Sequence, residues 1–316
     1  MYPYELEPQI FTLPKKDRDT IVIATGSSLR HKRFAYRIIQ EFGKRVVKWY
    51  EIDNSYSNIT NKNTKSISKI DKITTQLDKL KRSFQLYGIK ITTKKVIKLA
   101  DDIYYKLLYI KRLNRSLKES EYRLFAKEIE SIKKYSHIQP TKIDSNDIYK
   151  EWFLDELKSI NPYYFLTLSG PLYPKEIIES VNGVAINQHA GFSPYYKGSN
   201  TTHWALYHRD LKHLGSTIHL TSSGADSGAI LRRSNPAIFV DDDPVVIFLR
   251  TVALGTELMI ESVKEIDNSK EINIFPQSNI GTTYLNKDYR LRIIKSIIRD
   301  FKTKWLEDEL ARRREF

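Results

Sequence analysis

The chain has 316 residues, no cysteine and a formal net charge of +14. This length allows one large domain or two ordinary ones, and the lack of cysteine excludes disulfides and thiol chemistry. No apolar run approaches the roughly twenty residues of a membrane helix. Residues 1–11, MYPYELEPQIF, do not resemble a secretory signal, so a cytoplasmic protein without a membrane partner is expected.

Much of the positive charge lies in residues 56–135, which hold 20 Lys or Arg and 8 Asp or Glu. A basic surface of this kind can bind RNA, a membrane or a phosphorylated substrate. We favour the alternative of a solvated, lysine-rich helical face, because apolar residues recur there at helical spacing and arginine does not dominate. Nucleic acid is therefore not expected as a partner.

The first 52 residues predict an N-terminal extension followed by a βαβ unit. Prolines 3, 8 and 14 interrupt residues 1–18 and disfavour any regular element there. A β-branched run at 20–24 predicts a buried strand, an apolar face between 34 and 42 predicts a helix, and 46–52 predict a second strand. This order implies parallel strands.

Residues 56–135 predict a helical insertion in the α/β domain. After a polar loop, helical patterns run through 67–87, 94–115 and 119–135. The apolar residues between 96 and 108 form a wide stripe, which predicts packed helix rather than disorder.

The second half returns to alternating helices and strands. A helix is predicted at 147–160, with Trp152, Phe153, Leu154 and Leu157 facing inward, and then a strand at 164–168 and a short helix at 175–180. A later helix is predicted at 243–263 and a charged helix at 291–316. The predicted domains are an extension at 1–18, a catalytic domain at 19–240 and a C-terminal segment at 241–316.

Residues 184–231 hold most of the side chains that could perform chemistry. An apolar strand ends in Asn187-Gln188-His189, so Asn187 and His189 project to the same side. An amide NH2 can donate to an oxyanion, and a histidine can transfer a proton near neutral pH. Asp226 lies in a glycine-flanked loop that could reach the histidine. The three groups together suit transfer of an acyl or formyl group to an amine.

Each of these residues also has a purely structural explanation. His189 alone could be a hydrogen-bonded core histidine, and Asp226 alone could be a turn residue; their combination with Asn187 favours catalysis. His219 lies in a β-branched run, which gives it a minor role at best. Three further histidines, at 203, 208 and 213, are spaced by five residues and do not share a helical face, so no metal site is expected.

The motifs in this stretch resemble those of the folate-dependent formyltransferases, most closely the sugar N-formyltransferases. They are Asn187-x-His189, Ser193-Pro194-x-Tyr196-Lys197-Gly198, Trp204-Ala205, Thr217-Ile218-His219 and Asp226-Ser227-Gly228. Two positions depart from the family pattern: Phe192-Ser193-Pro194 replaces Leu-Leu-Pro, and Lys197 replaces an arginine. The resemblance implies a Rossmann-like α/β fold with a parallel sheet, and 10-formyltetrahydrofolate as cosubstrate.

The resemblance also implies binding residues. The loop of Ser169, Gly170, Pro171 and Leu172 is expected to line the folate pocket, together with Gly224 and Ala225. The acceptor side is expected to involve Tyr196 and Lys197. It is also expected to involve Gly26, Ser27, Ser28 and Arg30, because a Gly-Ser turn at a helix start can bind a phosphate. An ordinary helix cap with surface charges explains that turn equally well.

The expected acceptor is a small-molecule amine on a nucleotide-linked sugar, because the C-terminal segment looks too short for a tRNA-binding barrel. The alternatives are an aminoacyl-tRNA or ribonucleotide amine, hydrolysis of the formyl donor, and a non-catalytic relative that binds nucleic acid. The insertion is hypothesised to shape acceptor access or a subunit contact, as in a homodimer.

Overall fold

The computed structural model describes residues 6–53, 110–277 and 280–314. The chain divides into two units, one made of residues 1–53 with 120–316 and the other of residues 54–119. The predicted helices at 67–87 and 94–115 lie wholly or mostly outside the described residues, so the insertion at 56–135 stays a prediction, as do the domain boundaries. Within the described ranges, none of the helices has the length and apolar character needed to cross a membrane.

Eleven strands are found among the described residues. They are β1 (Gln9–Thr12), β2 (Ile21–Thr25), β3 (Val46–Asp53), β4 (Thr141–Asp144), β5 (Tyr164–Leu168), β6 (Val184–His189), β7 (Tyr196–Gly198), β8 (Ser216–Leu220), β9 (Ile230–Ser234), β10 (Glu271–Ile274) and β11 (Thr282–Tyr284). Seven of them form one sheet in the order β4-β3-β2-β5-β6-β8-β9. The first five strands of this order, from β4 through β6, pair with one another in parallel, whereas β8 pairs antiparallel with both β6 and β9.

The α-helices of the described residues are α1 (Leu29–Phe42), α2 (Ile110–Ile132), α3 (Glu151–Ile160), α4 (Lys175–Glu179), α5 (Thr201–Tyr207), α6 (Pro244–Asp267), α7 (Leu291–Lys302) and α8 (Trp305–Arg314). Apolar side chains of α1 and α6 pack on one face of the sheet, with Ile21 and Ile23 of β2. Those of α3 and α4 pack on the other face, with Val22 and Ala24. Because β2 is covered on both faces, all its residues are buried. The predicted α/β class and the parallel βαβ unit are confirmed.

Three local predictions were wrong. Residues 9–12 form β1, which pairs antiparallel with β10, because Pro8 and Pro14 flank this short strand and do not interrupt its ladder. Trp152 is 41% exposed, because the inward stripe of α3 is set by Phe153 and Leu157, four residues apart. The predicted helix at 291–316 is broken between α7 and α8, where Lys304 adopts a left-handed backbone conformation with a φ of 58°.

The carboxyl ends of the central strands meet at one edge of the sheet. Thr25 of β2 is in register with Leu168 of β5, and Leu168 is in register with Gln188 of β6. Strand β8 runs antiparallel to β6, so that Asn187 pairs with His219 and His189 with Thr217. The chain then turns through residues 221–229 and places Asp226 at the same edge. Parallel α/β sheets generally bind ligands at this edge.

Candidate active site

Two predicted residues, Asn187 and His189, both lie within hydrogen-bonding distance of a third, Asp226. Asn187 and His189 project to the same side of β6, as strand alternation predicts. The Asn187 Nδ2 atom is 3.3 Å from Asp226 Oδ1, and His189 Nδ1 is 3.2 Å from Asp226 Oδ2. The Asp226 side chain is 16% exposed and that of His189 is 7% exposed. The carboxylate and the amide are therefore more accessible to a ligand than the imidazole behind them.

The Asp226 carboxylate is held in its ionised form. Besides Asn187 and His189, it accepts a hydrogen bond from the Gly198 backbone N–H at 2.9 Å, and His219 Nε2 lies 3.5 Å from Oδ1. Burial alone would raise the pKa of Asp226, but the charge of His189 and the contacts with His219 and Gly198 outweigh it and lower the pKa to about 2. Asp226 is thus a charged acceptor at neutral pH.

The His189 imidazole lies between two hydrogen-bond acceptors. Its Nε2 is 3.0 Å from the Tyr196 carbonyl oxygen, and its Nδ1 faces Asp226. Burial lowers the pKa of His189 and outweighs Asp226 and the Tyr196 carbonyl, which raise it. The ring is therefore neutral at pH 7, yet a proton that it receives finds an acceptor at each nitrogen. This environment suits transient protonation.

His219 completes the polar cluster, although the sequence analysis gave it a minor role. Its Nδ1 donates to the Leu220 carbonyl at 2.8 Å, which leaves Nε2 as the acceptor for the Asn187 NH2 group at 3.0 Å. On the other side of the amide, the Thr167 hydroxyl donates to Asn187 Oδ1 at 2.8 Å. The amide is thus oriented with its NH2 group toward Asp226 and His219. His219 joins the cluster because it is in register with Asn187 across β6 and β8. The periodicity of the sequence does not reveal this register.

The loop after β5, which the resemblance assigns to the cosubstrate, leaves polar groups available to a ligand. Ser169 and Gly170 both have positive φ angles, 61° and 140°, and Leu172 is 52% exposed. The buried Tyr173 hydroxyl lies beneath Gly170 and has no hydrogen-bond partner within the described ranges. Gly224 is exposed and Ala225 is half-buried, next to Asp226. The assignment of these residues to the cosubstrate stays a prediction.

The predicted anion-binding turn before α1 is closed by a histidine. His31 Nδ1 lies 3.0 Å from the Ser28 hydroxyl and accepts from the Ser28 N–H at 3.3 Å. His31 Nε2 lies 3.0 Å from the Ser169 hydroxyl, so this buried ring joins the turn to the loop after β5. A side chain on Gly26 would overlap the ring. Burial, with a smaller effect of Arg30, keeps the pKa of His31 well below its ordinary value.

The other predicted acceptor-side residues are placed differently from one another. Ser27 is exposed beside Gly26, whereas Arg30 forms an ion pair with the buried Glu121 carboxylate. Tyr196 and Lys197 lie in β7 and not in a loop. The Tyr196 hydroxyl donates to Asp210 at 3.1 Å, and its ring packs in an aromatic cluster, away from the polar cluster around Asp226. Lys197 is 9% exposed.

No group of three or more His, Asp or Glu is arranged to hold a metal ion within residues 6–53, 110–277 and 280–314. The expectation of a site without a metal stays a prediction.

Residues 118–263 match the sequence model of the formyl transferase family. This range contains the whole polar cluster around Asp226. This part of the chain is similar to that family. It is 31% identical over 147 residues to methionyl-tRNA formyltransferase of Caldanaerobacter subterraneus subsp. tengcongensis, which covers 46% of each chain. It is also 31% identical over 144 residues to the enzyme of that name from Thermodesulfovibrio yellowstonii, which covers 45% of this chain and 44% of that one. The chain thus spans about half the length of the curated relatives it matches.

Solved formyltransferases show a weaker likeness over a longer range. A sugar N-formyltransferase from Shewanella sp. FDAARGOS_354 is 14% identical with a TM-score of 0.49, over 89% of this chain and 87% of that one. At this identity and score, the likeness has no bearing on substrate.

Proposed function

We propose that the protein transfers the formyl group of 10-formyltetrahydrofolate to a primary amine. The observation that carries the proposal is an ionised carboxylate, Asp226, that lies 3.3 Å from an amide NH2 group and 3.2 Å from a neutral imidazole. It lies at the carboxyl edge of the sheet and within the range that matches the formyl transferase family. Formyl transfer needs a donor to an oxyanion and an acceptor for the proton of the amine, and the cluster supplies both.

The reaction requires formation of one bond and cleavage of another. 10-Formyltetrahydrofolate supplies the formyl carbon, which bonds to the acceptor nitrogen while its bond to N10 breaks and tetrahydrofolate leaves. The Asn187 NH2 group donates to the oxygen that becomes negative, and one donor of this kind typically contributes about 3 kcal/mol. Its bond to Asp226, at 3.3 Å, is the longer of its two contacts in the cluster and is the one that an oxyanion would replace.

The Asp226–His189 pair accepts the proton of the attacking amine. Asp226 is ionised and partly exposed, so it receives the proton from the acceptor nitrogen. Asp226 passes this proton to His189 Nδ1, and the imidazolium ion so formed donates to Asp226 and to the Tyr196 carbonyl. The same pair returns the proton to the leaving nitrogen, so the enzyme is unchanged after a turnover. General acid–base catalysis of this kind typically contributes about 10²- to 10⁴-fold.

A nucleotide-linked amino sugar is our first candidate for the acceptor. The turn at Gly26–Ser28 begins a 14-residue helix. Its exposed Ser27 is available to a phosphate of the acceptor at this helix start, while His31 occupies the Ser28 N–H. Residues after α6 fold as two short strands and two helices, and α7 packs against α5 beside β7. The curated relatives that the chain matches are named methionyl-tRNA formyltransferases. An aminoacyl-tRNA is accordingly the second candidate.

The proposal is tested by incubating the purified chain and 10-formyltetrahydrofolate with a panel of amino-sugar nucleotides, with aminoacylated initiator tRNA, or with no acceptor. Mass spectrometry follows the gain of one formyl group on each acceptor, and absorbance follows tetrahydrofolate. We expect both products with an amino-sugar nucleotide, and their formation about 100-fold more slowly with Asn187→Ala. Formylation of the tRNA alone would identify the second candidate. Tetrahydrofolate formed without an acceptor would indicate hydrolysis, and no turnover in any arm would overturn the proposal.

A further inference from the structure

The backbone from the Asp226 carbonyl to the Gly228 carbonyl is tied to a residue far along the sequence. Gln277 lies between β10 and β11, outside the range that matches the formyl transferase family. Its Nε2 donates to the Asp226 carbonyl at 2.8 Å and to the Gly228 carbonyl at 2.7 Å. Both hydrogens of one amide NH2 group are thus used to hold the loop that carries Asp226.

The loop needs such a tie because its conformation is unfavourable on its own. Asp226 has a φ of 50°, in the left-handed region that non-glycine residues adopt at an energetic cost. Gly228 packs so closely on the Leu220 carbonyl that a side chain there would overlap it. Without the two bonds from Gln277, the backbone could relax toward ordinary angles, and the carboxylate would turn away from β6.

The accuracy of this placement matters because the carboxylate has several partners at once. Asp226 Oδ2 faces both the Gly198 N–H and His189 Nδ1, at 2.9 Å and 3.2 Å, while Oδ1 faces Asn187. Gly198 belongs to β7, which pairs in parallel with β11, only a few residues after Gln277. The same C-terminal segment therefore supports the Asp226 loop through Gln277 and supports a donor to its carboxylate through β11.

We propose that Gln277 is a positioning residue for formyl transfer, which acts by fixing the Asp226 carboxylate against His189 and Asn187. This inference rests on the proposed function and adds a residue that the family match does not include. Gln277 does not contact the transferred group. Its loss lowers the rate of the chemical step and leaves the binding of both substrates largely intact.

The test compares Gln277→Met, which preserves the length of the side chain and removes both donors, with wild-type enzyme. The matched control is Lys287→Ala, an exposed change in the same segment. Wild-type turnover is measured first, because its absence would count against the proposed function and not against Gln277. We expect Gln277→Met to lower kcat about 10- to 100-fold, because a misplacement of about 1 Å in a reacting group can cost about 10²-fold, with each KM changed less than about threefold. Lys287→Ala keeps wild-type kinetics.

A double mutant separates positioning from general destabilisation. If Gln277 acts through Asp226, adding Gln277→Met to Asp226→Asn causes little further loss of kcat, because the two residues work as a unit. A full additional loss in the double mutant, or wild-type kcat in Gln277→Met, would overturn the proposal. Should Gln277→Met not fold, Gln277→Asn, which shortens the reach of the donors, is judged by the same comparison. The ¹⁵N shifts of the His189 ring give a second readout, and we expect both Gln277 variants to move them as Asp226→Asn does.

Discussion

Replacement of Asp226 by asparagine removes one charge from the polar cluster and keeps the shape of the side chain. The lowering of the Asp226 pKa from 3.8 to about 2 corresponds to about 2.5 kcal/mol in favour of the ionised form. An asparagine has one acceptor oxygen, so its NH2 group must face either the Gly198 N–H or the Asn187 NH2 group, which are both donors. One of these contacts becomes repulsive, and the acceptor for the proton of the amine is lost.

We therefore expect Asp226→Asn to lower kcat about 10³-fold, within the usual range for general acid–base groups. The pH profile should move as well, and its direction follows from the environment of His189. Burial lowers the pKa of His189 and Asp226 raises it, so removal of the carboxylate lowers this pKa further. The acid limb of kcat/KM, which reports protonation of His189, should then lie at lower pH in the variant.

The assay measures steady-state formation of tetrahydrofolate between about pH 4.5 and 9. This range extends on both sides of the pKa of an unperturbed histidine, about 6.5. Asp241→Asn serves as the control, because Asp241 is exposed and the formal charge changes equally. If the kcat of Asp226→Asn were within tenfold of wild type, Asp226 would not be the acceptor of the proton. An acid limb that moves to higher pH would show that the Asp226 charge does not act on His189.

Three further predictions concern stability. Burial lowers the pKa of His203 to about 4. The contribution of the neutral ring to the free energy of unfolding is therefore complete above about pH 6.5 and is lost as the pH falls toward 4. Urea titrations at pH 5 and 7.5 should show a smaller change in the free energy of unfolding for His203→Phe than for wild type. Arg30→Ala should lower the free energy of unfolding by about 3 kcal/mol, since it removes the partner of the buried Glu121 carboxylate; an unchanged urea midpoint would contradict this. Gly228→Ala should lower both Tm and kcat, because its methyl group would overlap the Leu220 carbonyl, and calorimetry with the formyl-transfer assay measures both.

Most of the helical insertion lies outside the described residues, whereas the predicted binding residues Arg30 and Lys197 lie within them. The apolar stripe between residues 96 and 108 lies outside the described residues, so its packing stays a prediction. Arg30 forms an ion pair with Glu121, and its expected role on the acceptor side stays a prediction. Lys197, where the family usually has arginine, is nearly buried in β7, and its role on the acceptor side also stays a prediction.

The local sequence pattern was sufficient to predict the helices and strands that are buried on one or two faces. The β-branched run at 20–24 and the apolar face of α1 predicted β2 and its covering helix, because side-chain period reports the burial of one element directly. Alternation along β6 placed Asn187 and His189 on one side. The same reasoning failed at β1, whose partner Glu271 lies 259 residues after Thr12, because no local signal specifies so distant a strand.

The assembly of the active site was decided by the tertiary structure. Asp226 is 39 residues from Asn187 and meets it only because β8 returns antiparallel to β6. His219 enters the cluster through the register of the same two strands, and Gln277 reaches the Asp226 loop from 51 residues further along the chain. The pKa of His189 likewise depends on the elements that bury its ring. Sequence fixes which groups are present and which face of an element they occupy, whereas distances and burial between elements follow from how those elements pack.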